Sequence, residues 1–83
     1  MTITAKNLVK QIIEEQLHVR VRFDGEKLTD MGADSLDFIE LAELLEDEFH
    51  IKIEDKELTD AETVRDVIRL VKRKCKQFVA GEE

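Results

Sequence analysis

From Leu36 to Phe49 the chain runs without a Gly, Pro or Thr, while Phe38, Leu41, Ala42, Leu45 and Phe49 recur at helical spacing. At about 100° per residue these five fall in one sector, so the stretch is an amphipathic helix with one face to bury. Asp34 and Ser35 stand just before it, and both residue types are favoured at helix N-caps. The helix is therefore expected over about Ser35–Phe49, with Ser35 at its first position or one residue ahead of it. The same period returns at both ends of the chain. Ala5, Leu8, Val9, Ile12, Ile13 and Leu17 predict a first helix to about Leu17, capped by Thr2 or Thr4. Val64, Val67, Ile68, Val71, Cys75 and Phe78 predict a last helix opened by Asp60 or Thr63 and closed by Gly81. Thr63-Val64-Arg65-Asp66 has the form of a capping box, which favours Thr63.

Two connections remain. His18-Val19-Arg20-Val21-Arg22-Phe23 alternates like a strand and is followed by an Asp24-Gly25 turn, but no second alternating run exists to pair with it. We read residues 18–34 as an extended link that lays Val19, Val21, Phe23 and Leu28 over the helices. His50-Ile51-Lys52-Ile53 is a shorter link with both isoleucines inward, and Glu54–Leu58 can form one helical turn that needs packing to persist. The Lys6–Lys10 pair is like-charged, so the first helix is expected to rely on tertiary packing rather than surface ion pairs. The fold class is all-α, a small four-helix bundle of three longer helices and a short one with a long first loop, in a single domain over residues 1–83.

Composition agrees and narrows the function. The chain has 83 residues, no Pro, 42% hydrophobic and 40% charged residues and a formal net charge of −7. One cysteine excludes an internal disulfide and a multi-cysteine metal site. Residues 34–62 hold twelve acids against Lys52 and Lys56, a net of −10, whereas residues 63–83 are net +3 through a final helix rich in Arg and Lys. That balance argues against nucleic acid and for electropositive partners. No run is long enough to cross a bilayer, and the start lacks the apolar centre of a secretory signal, so a soluble protein of the cytoplasm is expected; a monomer is expected as well.

The acidic segment has a pattern. Leu36, Glu40, Glu43 and Asp47 line one stripe of the second helix, beginning beside Ser35. Glu40–Glu43 and Glu43–Asp47 repel, at a small cost to the helix. The stripe is either an ordinary solvated face or a docking stripe for basic partners. Ser35 has two readings as well. It belongs to a helix cap, or it presents a hydroxyl at the positive end of a helix dipole, where a phosphate is favoured.

Gly32-Ala33-Asp34-Ser35-Leu36-Asp37, then Ile39-Glu40-Leu41 and Leu45-Glu46-Asp47-Glu48-Phe49, resembles the attachment region of acyl carrier proteins, most like the stand-alone fatty-acid type. The likeness continues through Ile51-Lys52-Ile53 into the last helix. It implies phosphopantetheine joined covalently to Ser35, acyl groups carried as thioesters for partner enzymes of fatty-acid or related lipid and polyketide synthesis, and no catalysis by the chain itself. It implies that Asp34 supports the metal of a phosphopantetheinyl transferase, and that no metal is held by the carrier. It also implies that Leu36, Asp37, Glu40, Glu46, Asp47 and Glu48 meet acyl-processing enzymes through basic docking patches, and the acidic stripe adds Glu43 to that face. Phe38, Ile39, Leu41, Leu45, Ala61 and Ile68 either line an acyl-chain cavity or are plain core.

The sequence departs from that pattern at Phe38, where the fatty-acid type more often has Thr, and at Glu43, Glu54, Ala61 and the basic last helix. These departures allow a specialised carrier. The alternative is an unmodified acidic adaptor that binds a basic protein through the Leu36–Asp47 face. Other chemistries fare poorly. Asp30 to Leu41 fails the calcium-loop pattern at its third, sixth and twelfth positions. His18 and His50 are isolated in turns, and Cys75 falls on an apolar stripe.

Overall fold

Each of the three longer helices begins on a side-chain cap and buries the face that its period marks. In a computed structural model that describes residues 4–78, with side chains as far as Cys75, α1 spans Ala5–Leu17 and α2 Ser35–Phe49. The five-residue α3 spans Asp55–Thr59 and α4 spans Val64–Phe78. Thr4 Oγ1 accepts from Asn7 N at 3.1 Å and so opens α1. At α4, Thr63 Oγ1 accepts from Asp66 N at 3.1 Å and Asp66 Oδ2 from Thr63 N at 3.2 Å, the expected box. α1 and α2 both end on a histidine in the left-handed region, His18 at φ 58° and His50 at φ 56°. Both histidines are exposed, as solvated turns require. Thr2 and Gly81 lie outside the described residues, as do the side chains of Lys76 and Phe78.

The core forms where these faces meet. Val9 and Ile13 of α1, Leu41 and Leu45 of α2, and Val64, Val67 and Val71 of α4 are almost wholly buried. Gln16 near the end of α1 reaches Asp37 and Glu40 near the start of α2, so these two helices run antiparallel. Ile51 and Ile53 turn inward as expected. Leu58 is fully buried and anchors α3, which is too short to persist alone. Leu70 and Met31 are buried although the helical stripes do not mark them.

The long link is a clamp on the start of α4. Val64 N donates to Glu26 O at 3.0 Å, Arg65 N to Asp24 O at 2.7 Å, and Leu28 N to Glu62 O at 2.9 Å. Two of the amides that a helix leaves without partners are thereby satisfied. The pairing amounts to one isolated antiparallel bridge, Lys27 with Thr63. Leu28 is buried and Val21 packs against the core, but Val19 is 38% and Phe23 58% exposed, which corrects the expectation that all four cover the bundle. The backbone bonds of Asp24, Glu26 and Leu28 to the start of α4 set where the link lies, and Phe23 stands outward there although Val21, two residues earlier, packs inward.

Ion pairs reinforce the clamp, against the expectation for α1. Lys6 and Lys10 converge on Asp24 at 3.2 and 2.7 Å, turning a repulsive pair into a shared grip on the link. The Lys10 and Lys6 ammonium groups hold the Asp24 carboxyl below its ordinary value. Glu26 is buried and accepts from Arg22 N at 3.0 Å and from the Arg22 guanidinium, which lower its pKa in that order. Glu57 accepts from Glu54 N at 3.0 Å and meets Lys74 at 2.9 Å, with the same direction of shift. Burial pushes the Cys75 thiol up.

Candidate functional site

A pinned turn delivers the chain to Ser35. Buried Leu28 and Met31 anchor it, while Gly32 N donates to Thr29 O at 3.1 Å and Ala33 N to Leu28 O at 3.0 Å. Gly32 has φ +101° with nothing within 4 Å of where a Cβ would stand, so backbone angle, not space, calls for glycine. Asp34 is then the N-cap and Ser35 the first helical residue. Asp34 Oδ1 accepts from Asp37 N at 3.0 Å, and Asp37 Oδ2 accepts from Asp34 N at 3.1 Å. Ser35 is exposed, and its hydroxyl takes no part in this reciprocal cap. Phe38 N bonds to Asp34 O at 3.1 Å, so the Ser35 and Leu36 amides are the first-turn donors that these bonds leave open.

Leu36 is 60% exposed and Glu40, Glu43 and Asp47 are exposed with it, so the stripe faces solvent along the length of α2. Gln16 of α1, which no sequence pattern singles out, donates to Glu40 Oε1 at 2.6 Å and to Asp37 Oδ1 at 3.4 Å. Glu48 is exposed but lies about 100° round the helix from Asp47. Glu46 is half-buried, and its Oε2 accepts from Ile53 N at 2.7 Å. That carboxylate holds the second link in place and is not part of the open face. Leu44, at 42% exposed, adds an apolar point that the sequence stripe does not include.

The six cavity candidates separate. Phe38 and Ala61 line a groove of about 330 Å³ with Lys27, Thr29, Thr59 and Glu62, beginning one turn past Ser35. Ile39 is 46% exposed and lies in a different surface groove, with Glu43, Lys52 and Asp55, so its placement in a cavity is corrected. Leu41, Leu45 and Ile68 are buried in the core. Among the described residues no group of three or more His, Cys, Asp or Glu is placed to hold a metal ion, and no helix is long and apolar enough to cross a membrane.

A family model described as the phosphopantetheine attachment site matches residues 7–71, from α1 to within α4 and including this turn. The acyl carrier protein of Wolinella succinogenes is 41% identical over 66 residues, which is 76% of this chain and 87% of that one. The acyl carrier protein of Bdellovibrio bacteriovorus is 41% identical over 71 residues, 82% of this chain and 91% of that one. The chain belongs to the acyl carrier protein family. As an acyl carrier protein it is a carrier and not a catalyst, its cofactor is phosphopantetheine, and its work depends on a transferase and on acyl-processing enzymes. The crystal structure of an acyl carrier protein from Thermotoga maritima superposes with a TM-score of 0.74 at 25% identity, covering 94% of this chain and 99% of that one. The four-helix, all-α architecture expected from the sequence is the architecture of the family.

Proposed function

We propose that Ser35 bears the phosphopantetheine arm and that α2 presents the loaded arm to enzymes of fatty-acid or related lipid and polyketide synthesis. The observation that carries this reading is an exposed serine hydroxyl on the first residue of a helix, beside two open backbone amides. Those amides and the helix dipole favour the phosphate of a phosphodiester there. When bound, the arm supplies a thiol that holds an acyl group as a thioester. The residues of this chain supply position. Gly32 and the Asp34–Asp37 cap fix the direction in which the hydroxyl leaves the fold.

Asp34 uses Oδ1 for the cap, and its other oxygen offers one ligand to the metal of a transferase that brings the rest of the coordination sphere. Leu36, Asp37, Glu40, Glu43, Asp47 and Glu48, with Leu44 added, form a mixed apolar and acidic surface for basic docking patches. Gln16 holds Glu40 and Asp37 in place on it. The Phe38–Ala61 groove receives the first part of an acyl chain. The carrier works as a cytoplasmic monomer.

Incubation with coenzyme A and a promiscuous phosphopantetheinyl transferase, followed by intact mass, tests the attachment. One added arm in the parent and none in Ser35→Ala is expected. An unchanged parent mass leaves the unmodified acidic adaptor.

A further inference from the structure

The acidic face of α2 has a basic counterpart that neither attachment nor docking uses. On α4, Arg65, Arg69 and Lys72 are exposed and recur at i, i+4 and i+7, which places them on one face of the helix. Arg73 and Lys74 on the flank are taken up by Glu57, at 3.8 and 2.9 Å. Arg65, Arg69 and Lys72 have no such partner among the described residues. Like charges at these spacings oppose helix formation slightly, so packing of α4 accommodates the stripe without gaining from it.

An apolar group stands at one end of the row. Phe23 is 58% exposed, and a Cβ on Gly25 would lie 3.7 Å both from its ring and from Arg65 Nη1. The ring and the guanidinium therefore flank the same glycine. The acidic stripe belongs to α2 and the basic row to α4, two helices that each turn a different face to one core. With a screening length of about 8 Å at physiological salt, an extended surface facing one stripe senses the other weakly.

We propose that Phe23, Arg65, Arg69 and Lys72 form a peripheral docking surface for an anionic lipid bilayer, with the cations on headgroup phosphates and the Phe23 ring in the interface. A headgroup layer offers phosphates at any spacing and an apolar layer just beneath, matching a row of cations with an aromatic ring at its end. An acidic protein patch would match the cations only where its carboxylates repeat in register, and it would leave the ring without an apolar partner. Three cations and one ring make a weak, reversible contact that salt dissolves. The surface excludes Ser35, so binding is independent of the attachment reading.

Co-sedimentation of the full chain with vesicles tests the proposal. Vesicles of phosphatidylcholine with about 30 mol% phosphatidylglycerol are compared with phosphatidylcholine alone, at about 50 mM and about 500 mM salt. Expected is binding to the anionic vesicles at low salt, with a partition coefficient at least about tenfold lower at high salt or without the anionic lipid. R69E/K72E, and the milder R69Q/K72Q should the first fold poorly, lower it at least about tenfold and about fivefold respectively. Phe23→Ser lowers it while leaving the salt dependence. Ser35→Ala sediments as the parent does, whatever the outcome of arm installation. No anionic-lipid-dependent binding by the parent, or binding that both double variants retain, overturns the proposal. Tighter capture by soluble polyglutamate than by the vesicles overturns it in favour of an acidic protein partner.

Discussion

Replacing Asp34 in two ways separates the cap from the chemistry proposed for the same carboxylate. In Asp34→Ala the acceptor for Asp37 N at 3.0 Å disappears, and the cap loses its side-chain half. The residue is exposed, so no cavity forms, and the cost is that of a lost N-cap, about 1 kcal/mol. For a domain of this size that is a fall in Tm of about 4–8 °C. Asp34→Asn keeps an amide oxygen where Oδ1 stood, and Asn ranks with Asp as a cap. It forfeits about 0.3–1 kcal/mol of attraction to the helix dipole, offset in part by weaker repulsion from Asp37. A net change within about 0.5 kcal/mol is expected, which moves Tm by no more than about 4 °C. Arm installation responds differently if the carboxylate helps to hold the transferase metal: both variants then slow by at least about tenfold. Thermal unfolding followed by circular dichroism, with initial rates of arm transfer by intact mass, reads both quantities on the same samples. Asp34→Asn modified at the parent rate refutes the metal role. Asp34→Asn as unstable as Asp34→Ala refutes the view that the Asp37 hydrogen bond carries the cap.

Three further outcomes follow from the packing and the charges. Leu58→Ala removes the anchor of a helix too short to stand alone, and should cost about 2–5 kcal/mol in urea unfolding; a loss under about 1 kcal/mol would mean that α3 is held by something else. Asp24, Glu26 and Glu57 have folded pKa values below their ordinary 3.8, 4.5 and 4.5, so the unfolded chain binds more protons as these groups titrate. Their stabilisation is full above about pH 5 and is lost as pH falls through the lowered values, and Glu57→Gln should flatten the loss below about pH 4.5 in a pH series of melts. Glu40→Lys should weaken binding to a basic acyl-processing enzyme and reduce its salt sensitivity, with little effect on stability at an exposed position; an unaltered affinity and salt slope would remove this face from the docking surface.

The local elements were legible because their causes are local. α1, α2 and α4 follow from apolar residues at helical spacing, and the position of Ser35 follows from the Asp34-Ser35 pair before an uninterrupted run. A cap and a helical face involve residues within four positions of each other, so the order of residues decides them. Two kinds of feature lay beyond that reach. Gln16 meets Glu40 across 24 positions, Asp24 gathers Lys6 and Lys10, and the link satisfies the first amides of α4, all depending on where folding brings distant segments. Ile39 and Phe23, apolar in the sequence, are turned outward, Ile39 because it stands off the buried sector of α2 and Phe23 on a link held by its backbone bonds to α4. Glu46 left the acidic face because Ile53 N needed an acceptor inside the fold.

What the chain determined alone was therefore a set of helices and a serine presented at the start of one of them. Which carboxylates remain open to partners, and which apolar residues line a groove or meet solvent, was decided by tertiary structure. The physical reason is that burial and hydrogen-bond satisfaction are properties of neighbours in space, and those exist only once the helices have packed.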